Sequence, residues 1–420
     1  MLVLRPLSIA VLLGAVASPF SGCLRDRCES ALTYVYYEPV YVQPQDFRDS
    51  RPVAEVPRPL KNPGKVYVMG KYLLINELKE GIHVFDNTHP DRPLPIAFWK
   101  ILGNVDMAMR GSYLYADQYT DLLTIDVRDV QCPKLVSRVQ TVFSLHGWVD
   151  NKGYIAGYRK TEKTETIPCS DSRFDLPWFR GRDGVWVCGD VIGGFSGGLL
   201  PPATGIAGSF ARFGQWGDYL YCIDRSRLHS FSLADPLHPH KEHSQTVGWE
   251  IETIFPWKNR LFIGSEDAVH IFRLDNPAMP NREAVFSHAS GCDPVVCDEE
   301  HAYVTLHDGT SCNGRLNQLD VLDIRGLPRV SSVRTYPMKH PKGLAVKDNL
   351  LFLCDDGLKI LDKTQPQNVE LLSHVRGIDT YDVIALSSKH ILVVGKSGLF
   401  QYDVSNPRAP SQISGIPIVP

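Results

Sequence analysis

The sequence predicts an all-β chain, a β-propeller of four-stranded antiparallel blades, and three observations carry that reading. The first is a repeat. Residues 81–93, GIHVFDNTHPDRP, are an alternating apolar run, an Asp and a Pro-punctuated turn. Looser copies follow as LLTIDVRDVQCP, RLHSFSLADPLHP, AVHIFRLDNPAMP, QLDVLDIRGLPRV, LKILDKTQPQNV and GLFQYDVSNPRAP. The run ends at Asp86, Asp126, Ser232, Arg273, Asp323, Asp362 and Asp403, with separations of 40, 106, 41, 50, 39 and 41 residues. A strand-like period near forty is the mark of a propeller. The second observation is the content of each period: short β-branched or aromatic runs such as KVYVMG, YLLINE and GIHVFD, bounded by Gly, Asn, Asp or Pro. The third is composition. With 33 Gly and 30 Pro among 420 residues, the chain suits many strands and turns, and it shows no convincing long amphipathic helix.

The chain begins with what reads as an export signal. Arg5 precedes the apolar stretch Leu7 to Val16, and small residues lead to Ser21, Gly22 and Cys23. Residues 1–22 are thus expected to be a lipoprotein-type signal peptide, with Cys23 lipidated and anchoring the chain to a membrane. Phe20 departs from that pattern, which favours Leu three residues before the Cys. A simple secretory signal is the alternative, and Cys23 is then an ordinary thiol. Residues 23–63 follow as a tether and a Tyr/Pro-rich arm, TYVYYEPVYVQPQDF. Four tyrosines would be costly to leave in water, so part of the arm is expected to pack on the body.

From residue 64 to 420 the strands come in fours. The Asp closing each third strand sits where its carboxylate accepts backbone N–H groups of the following turn, so it is turn chemistry before it is catalysis. The gap between Asp126 and Ser232 is too long for one repeat. It holds GWVD and GYIAGYRK, then an irregular polar and Gly-rich insertion over about residues 161–209, within which VWVCGDV reads as a surviving strand. Counting that third repeat gives eight blades; if it is not a full blade, the ring has seven. The tail SQISGIPIV is expected to complete the last blade while the N-terminal strand closes the ring.

Ten cysteines in an exported chain point to disulfides. Cys222, Cys297 and Cys354 lie inside apolar runs and read as buried thiols, whereas Cys292 and Cys312 flank a hairpin-like segment and are the candidate disulfide. No CxxC pair supports zinc. The formal net charge of −3 leaves no electrostatic footprint for nucleic acid.

The repeats resemble the LVIVD-repeat family of exported bacterial and archaeal proteins. The likeness is carried by GKVYVMGKYLLINELKEGIHVFDNTHP, GNVDMAMRGSYLYADQYTDLLTID, GYIAGYRKTEKTETI, SGCDPVV with YVTL, and NQLDVLDI. It spans roughly residues 64–410. The resemblance implies a propeller fold and an envelope location, a bacterial outer-membrane lipoprotein on the periplasmic or cell-surface side. The family has no established reaction, so no mechanism comes with it.

Aligned repeats place a polar residue ahead of most innermost strands: Asp106, His146, Glu252, Asp293, Lys342 and Asp382, with Arg212 roughly equivalent in another. Side chains there can ring one mouth of the axial channel, where clustered carboxylates can recruit a cation such as calcium. The competing reading is solvated turn residues and ion pairs. No cofactor is otherwise implied, no G-x-S-x-G nucleophile elbow is present, and the 14 His residues show no metal-like spacing. The expected function is a lipid-anchored, extracytoplasmic binding or scaffold module. Its surface, built by the 161–209 insertion and the 308–317 hairpin, would meet an envelope protein or a glycan. The alternative is a propeller hydrolase or lactonase with a metal at the central channel. Oligomeric state is not legible.

Overall fold

The computed structural model describes residues 29–144, 148–168, 186–187, 211–265, 267–287, 294–307 and 316–419. Among them no helix is long and apolar enough to cross a membrane. Eight sheets form, each with four strands except the first, which has five. The chain divides into two compact units, one of residues Met1–Glu38 and Tyr158–Val191, the other of Pro39–Gly157 and Ile192–Pro420.

The larger unit holds seven antiparallel meanders, each made from one contiguous stretch of chain. The first blade shows the plan: Pro63–Met69, Tyr72–Glu77, Gly81–Asp86 and Leu94–Lys100, with Val53–Glu55 of the arm added outside as a fifth strand. The other innermost strands are Met107–Arg110, Phe213–Trp216, Ile251–Trp257, Val295–Cys297, Pro341–Lys347 and Thr380–Ala385.

Period-two alternation explains why these sheets stack. In the second strand of the first blade, Leu73 and Ile75 face one apolar cluster while Leu74 faces another. Each sheet is therefore apolar on both faces, and seven clusters join neighbours in turn. The last of them packs Val66, Leu73, Ile75 and Phe85 of the first blade with Leu392, Val394 and Leu399 of the seventh. The seven sheets thus close into a ring. In every one the register slips once between the third and fourth strands, for example between Val84 and Phe85 or between Gln401 and Tyr402. Such bulges add twist toward the rim of a blade.

The tail behaves as expected: Ser411–Pro417 is the outer strand of the last blade. Closure differs in detail from the expectation. Among the described residues the N-terminal segment contributes no strand to that sheet and meets it through a parallel bridge, Leu60 with Ile418. The eighth sheet lies outside the meander pattern. Its strand order is Trp148–Val149, Gly153–Pro168, Glu29–Val42 and Trp186–Val187, and the last pair runs parallel, Tyr34 opposite Trp186. The third repeat and the arm thus complete the count of eight sheets, while the ring of meanders has seven.

The described residues of the arm form regular structure. Its helix Pro44–Asp49 buries Phe47 against Tyr119, with ring centroids 5.1 Å apart. Arg48 meets Asp121 at 2.9 and 3.0 Å. In the smaller unit, Tyr34 donates to Glu165 at 2.8 Å and Arg159 pairs with Glu38 at 3.1 Å. Cys222, Cys297 and Cys354 are buried free thiols, as expected, and Cys132 is an exposed one. Cys23, Cys292 and Cys312, and with them the proposed lipidation and disulfide, lie outside the described residues.

Candidate functional site at the propeller axis

The third-strand Asp residues do turn chemistry. Asp86 Oδ1 accepts the Thr88 N–H at 2.9 Å and its hydroxyl at 2.6 Å, and Asp126, Asp323, Asp362 and Asp403 each accept the N–H two residues on. The Thr88 hydroxyl and N–H hold the Asp86 carboxyl at about 2, and Arg325 does the same for Asp323. These carboxylates are committed to specifying the fold.

Of the residues expected at the axial mouth, five lie among the described residues. Asp106 is 1% exposed. Its carboxylate pairs with Lys65 at 2.7 Å and accepts the N–H groups of Met107, Arg212 and Phe213 at 2.6, 2.6 and 3.1 Å. Lys65 Nζ also reaches the Phe213 carbonyl at 3.3 Å. The first, second and third blades are therefore tied at the axis by one buried ion pair. Arg212 joins this knot through its backbone. Lys342 pairs with Asp379 at 3.1 Å and lies 4.5 Å from the centre of the Tyr381 ring, while its carbonyl accepts the Thr305 hydroxyl at 2.7 Å, so it ties the fifth, sixth and seventh blades. Asp382 is fully buried and accepts the Val383 N–H at 2.9 Å. It stands so close to Gly343 that any Cβ at that position would overlap it. Glu252 is half-buried in its strand and engaged. His146 and Asp293 lie outside the described residues. Among the described residues no group of three His, Cys, Asp or Glu side chains is placed to hold a metal.

A second set of carboxylates went unread as a set in the sequence. Each lies at the end of the second strand of its blade; three reach back to the loop that leads into the blade, and Asp224 reaches the segment that leaves the second blade. Glu77 accepts the N–H groups of Lys61 and Asn62, Asp117 those of Val105 and Asp106, Asp224 that of Ser144, and Asp355 those of Lys339 and His340. Burial would raise Glu77, but His83 at 2.9 Å and those backbone donors outweigh it and hold the carboxyl below its usual value. Asp117 goes the other way. Burial, reinforced by the Asp106 charge, pushes it up to about 6 against the pull of its backbone donors. The signal was present as YLLINE, YLYADQ, YLYCID and LLFLCD.

The open concavity of the axis lies at the other end of the innermost strands. A cavity of about 470 Å³ is lined there by Phe255, Trp257, Val296, Ala345 and Ala385, from the fourth to the seventh blade, with Glu299, Lys347 and Asp348 at its polar edge. Phe255 and Trp257 stack 6.3 Å apart with 18° between their planes. The Trp257 indole nitrogen is buried and has no hydrogen-bond partner among the described residues. Asp298, also in the wall, is held by Lys363 at 2.6 Å and by the Tyr303 hydroxyl at 3.0 Å. Sequence reasoning placed the site at the strand starts. An aromatic pair at alternate positions of IETIFPW reads as core in a sequence, which is why this end was missed.

No family model matches the chain, the LVIVD-repeat family included, and no curated protein matches it. Solved structures do. The computationally designed Ika8 protein is similar at a TM-score of 0.52 and 9% identity, over 87% of this chain and 91% of that one. A protein from Lactobacillus plantarum is similar at 0.52 and 10%, over 86% and 97%. Hsv2 of Kluyveromyces marxianus is similar at 0.50 and 10%, over 86% and 99%. At such identities the likeness is one of fold, and with the ring of meanders it makes this chain a β-propeller.

Proposed function

We propose that the chain is a lipid-anchored binding module of the bacterial cell envelope, related to the LVIVD-repeat proteins, and that its ligand seat is the axial cavity. The anchor and location rest on the signal-like residues 1–22 and on Cys23. The seat rests on one observation: the polar side chains described at one mouth are tied between blades or engaged in their strands, whereas the other mouth opens into about 470 Å³ beside a stacked Phe255–Trp257 pair. Aromatic faces with carboxylates and an amine at the edge suit a sugar ring, which offers C–H surface to the rings and hydroxyls to Glu299, Lys347 and Asp348. A glycan is therefore the ligand class.

The test has two readouts. Cys23→Ser should move the protein from the membrane to the soluble envelope fraction. The purified mature chain should bind a subset of an envelope-glycan array saturably, and Trp257→Ala should weaken that binding at least tenfold. An array with no saturable binder overturns the ligand class. Stoichiometric bound metal together with turnover of an ester or lactone would establish the hydrolase or lactonase alternative instead.

A further inference from the structure

A second cavity, of about 330 Å³, opens between the second and third blades, away from the axial seat. Its third-blade wall is built by strand alternation. Arg227 and His229 are two residues apart on one strand, and Phe231 continues the same face. Lys241 of the next strand stands directly opposite Phe231. Arg227, His229 and Lys241 all line the cavity, and Thr120 and Ser144 face them from the second-blade side.

The charges in this wall are not balanced. Neither the Arg227 nor the Lys241 side chain has a hydrogen-bond or ion-pair partner among the described residues. The carboxylate in the wall, Asp224, is buried and accepts the Ser144 N–H at 2.8 Å. One negative charge thus stands against two positive ones. Partial burial of the ammonium and the neighbouring Arg227 hold the Lys241 amine below its usual value, against the opposing pull of Asp224.

His229 supplies an independent sign. It is 2% exposed, and its Nδ1 lies 2.7 Å from the Ser244 hydroxyl. Its Nε2 is buried with no hydrogen-bond partner among the described residues. Burial, and after it the Lys241 charge, pushes the imidazole down to about 4, so it is neutral at physiological pH. In the tautomer in which the Ser244 hydroxyl donates to Nδ1, Nε2 carries the hydrogen and is an unused donor. An orphaned buried donor in a wall that carries two unpaired cations asks for an acceptor that is also an anion.

We propose that this cavity binds a small oxyanion, a phosphate or a carboxylate, clasped by Arg227 and Lys241 over His229. Phosphate and carboxylate share the geometry the guanidinium fork recognises, and the cavity is large enough for either group on a small organic ligand.

The experiment uses the full mature chain. Titration calorimetry and thermal unfolding are run with inorganic phosphate, succinate and acetate, each against sodium chloride at matched ionic strength. The expected result is saturable binding and a raised melting temperature with phosphate or with the carboxylates, and the arm that responds identifies the head group. Arg227→Gln and Lys241→Gln should each weaken binding at least tenfold. Both side chains are exposed, so the variants should fold, as checked by unchanged circular dichroism. Trp257→Ala should leave anion affinity at the wild-type value, which separates this site from the axial one. If no anion raises the melting temperature beyond chloride, or if both charge variants keep wild-type affinity, the site does not exist.

Discussion

Asp117 shows what a single residue contributes to this fold. Its Oδ1 accepts the N–H groups of Val105 and Asp106 at 2.8 and 2.9 Å and the Asn104 amide at 2.8 Å, in a buried network that continues through Asn104 to Asn76 at 2.6 Å. All of these bonds ask for an acceptor, and none asks for a charge. Burial and the nearby Asp106 carboxylate lift the carboxyl from 3.8 to about 6, so between those pH values the folded chain binds more proton than the unfolded one. The contribution is therefore largest in acid and is lost as pH rises from about 4 to about 6, a swing of about 3 kcal/mol for a shift of this size. Asp117→Asn keeps the acceptor and removes the titration. Urea unfolding should find the variant equal to wild type near pH 4 and more stable, by up to about 3 kcal/mol, above pH 6. An unchanged pH slope would show that Asp117 is not the group responsible. Beside it, Lys65 and Asp106 form a buried ion pair 2.7 Å apart, in which each group compensates the other's removal from water.

At the scale of the element, a second-strand carboxylate holds the lead-in loop against the blade in the first, second and sixth blades. In the sixth blade, Asp355 Oδ1 takes the Lys339 and His340 N–H groups at 3.1 and 2.6 Å, and Lys359 meets Oδ2 at 2.5 Å. Asp355→Ala orphans two donors and strips a lysine of its counter-ion, at a cost of about 3–5 kcal/mol. The third-strand Asp362→Ala, on the turn, should cost several-fold less, as measured by urea unfolding of the two variants side by side. Equal costs would deny the clamp its special role. The comparison also marks what a sequence can disclose. Asp86, Asp323 and Asp403 were legible because acceptor and donor are two residues apart, inside one turn. The clamps were not, because Asp224 meets Ser144 across 80 residues of chain. Lys65 was read as part of an ordinary strand because nothing local announces a partner 41 residues on. The parallel pairing of Trp186–Val187 left no periodic trace, since a two-residue strand has no period. Both cavities depend on side chains brought together from several blades, which no run of sequence displays.

For the propeller unit as a whole, the seam between the first and seventh blades is the decisive contact. Every blade is contiguous in sequence, so six of the seven clusters join neighbours along the chain, while the remaining one joins Leu73 and Phe85 to Leu392 and Leu399. Among the described residues no blade is shared between the two ends of the unit, and the backbone crosses the seam only at the Leu60–Ile418 bridge, flanked by the Val419 N–H donated to the Leu60 carbonyl at 2.8 Å. Closing the ring must meet the entropy of the largest loop in the unit, and contacts of that separation are expected to form after local ones. Leu392 and Leu353 are both fully buried leucines on second strands, the first at the seam and the second between the fifth and sixth blades. Truncation of either to Ala should cost about 2–5 kcal/mol at equilibrium. The kinetics should separate them. Leu392→Ala should speed unfolding and leave the folding rate within about twofold of wild type, because its contacts are absent from the transition state. Leu353→Ala should slow folding, because packing between adjacent blades is what the nucleus can afford early. Urea-jump experiments on both variants read the two limbs directly. If Leu392→Ala slows folding as much as Leu353→Ala does, the ring closes before its blades are packed, and the order of assembly argued from contiguity is reversed.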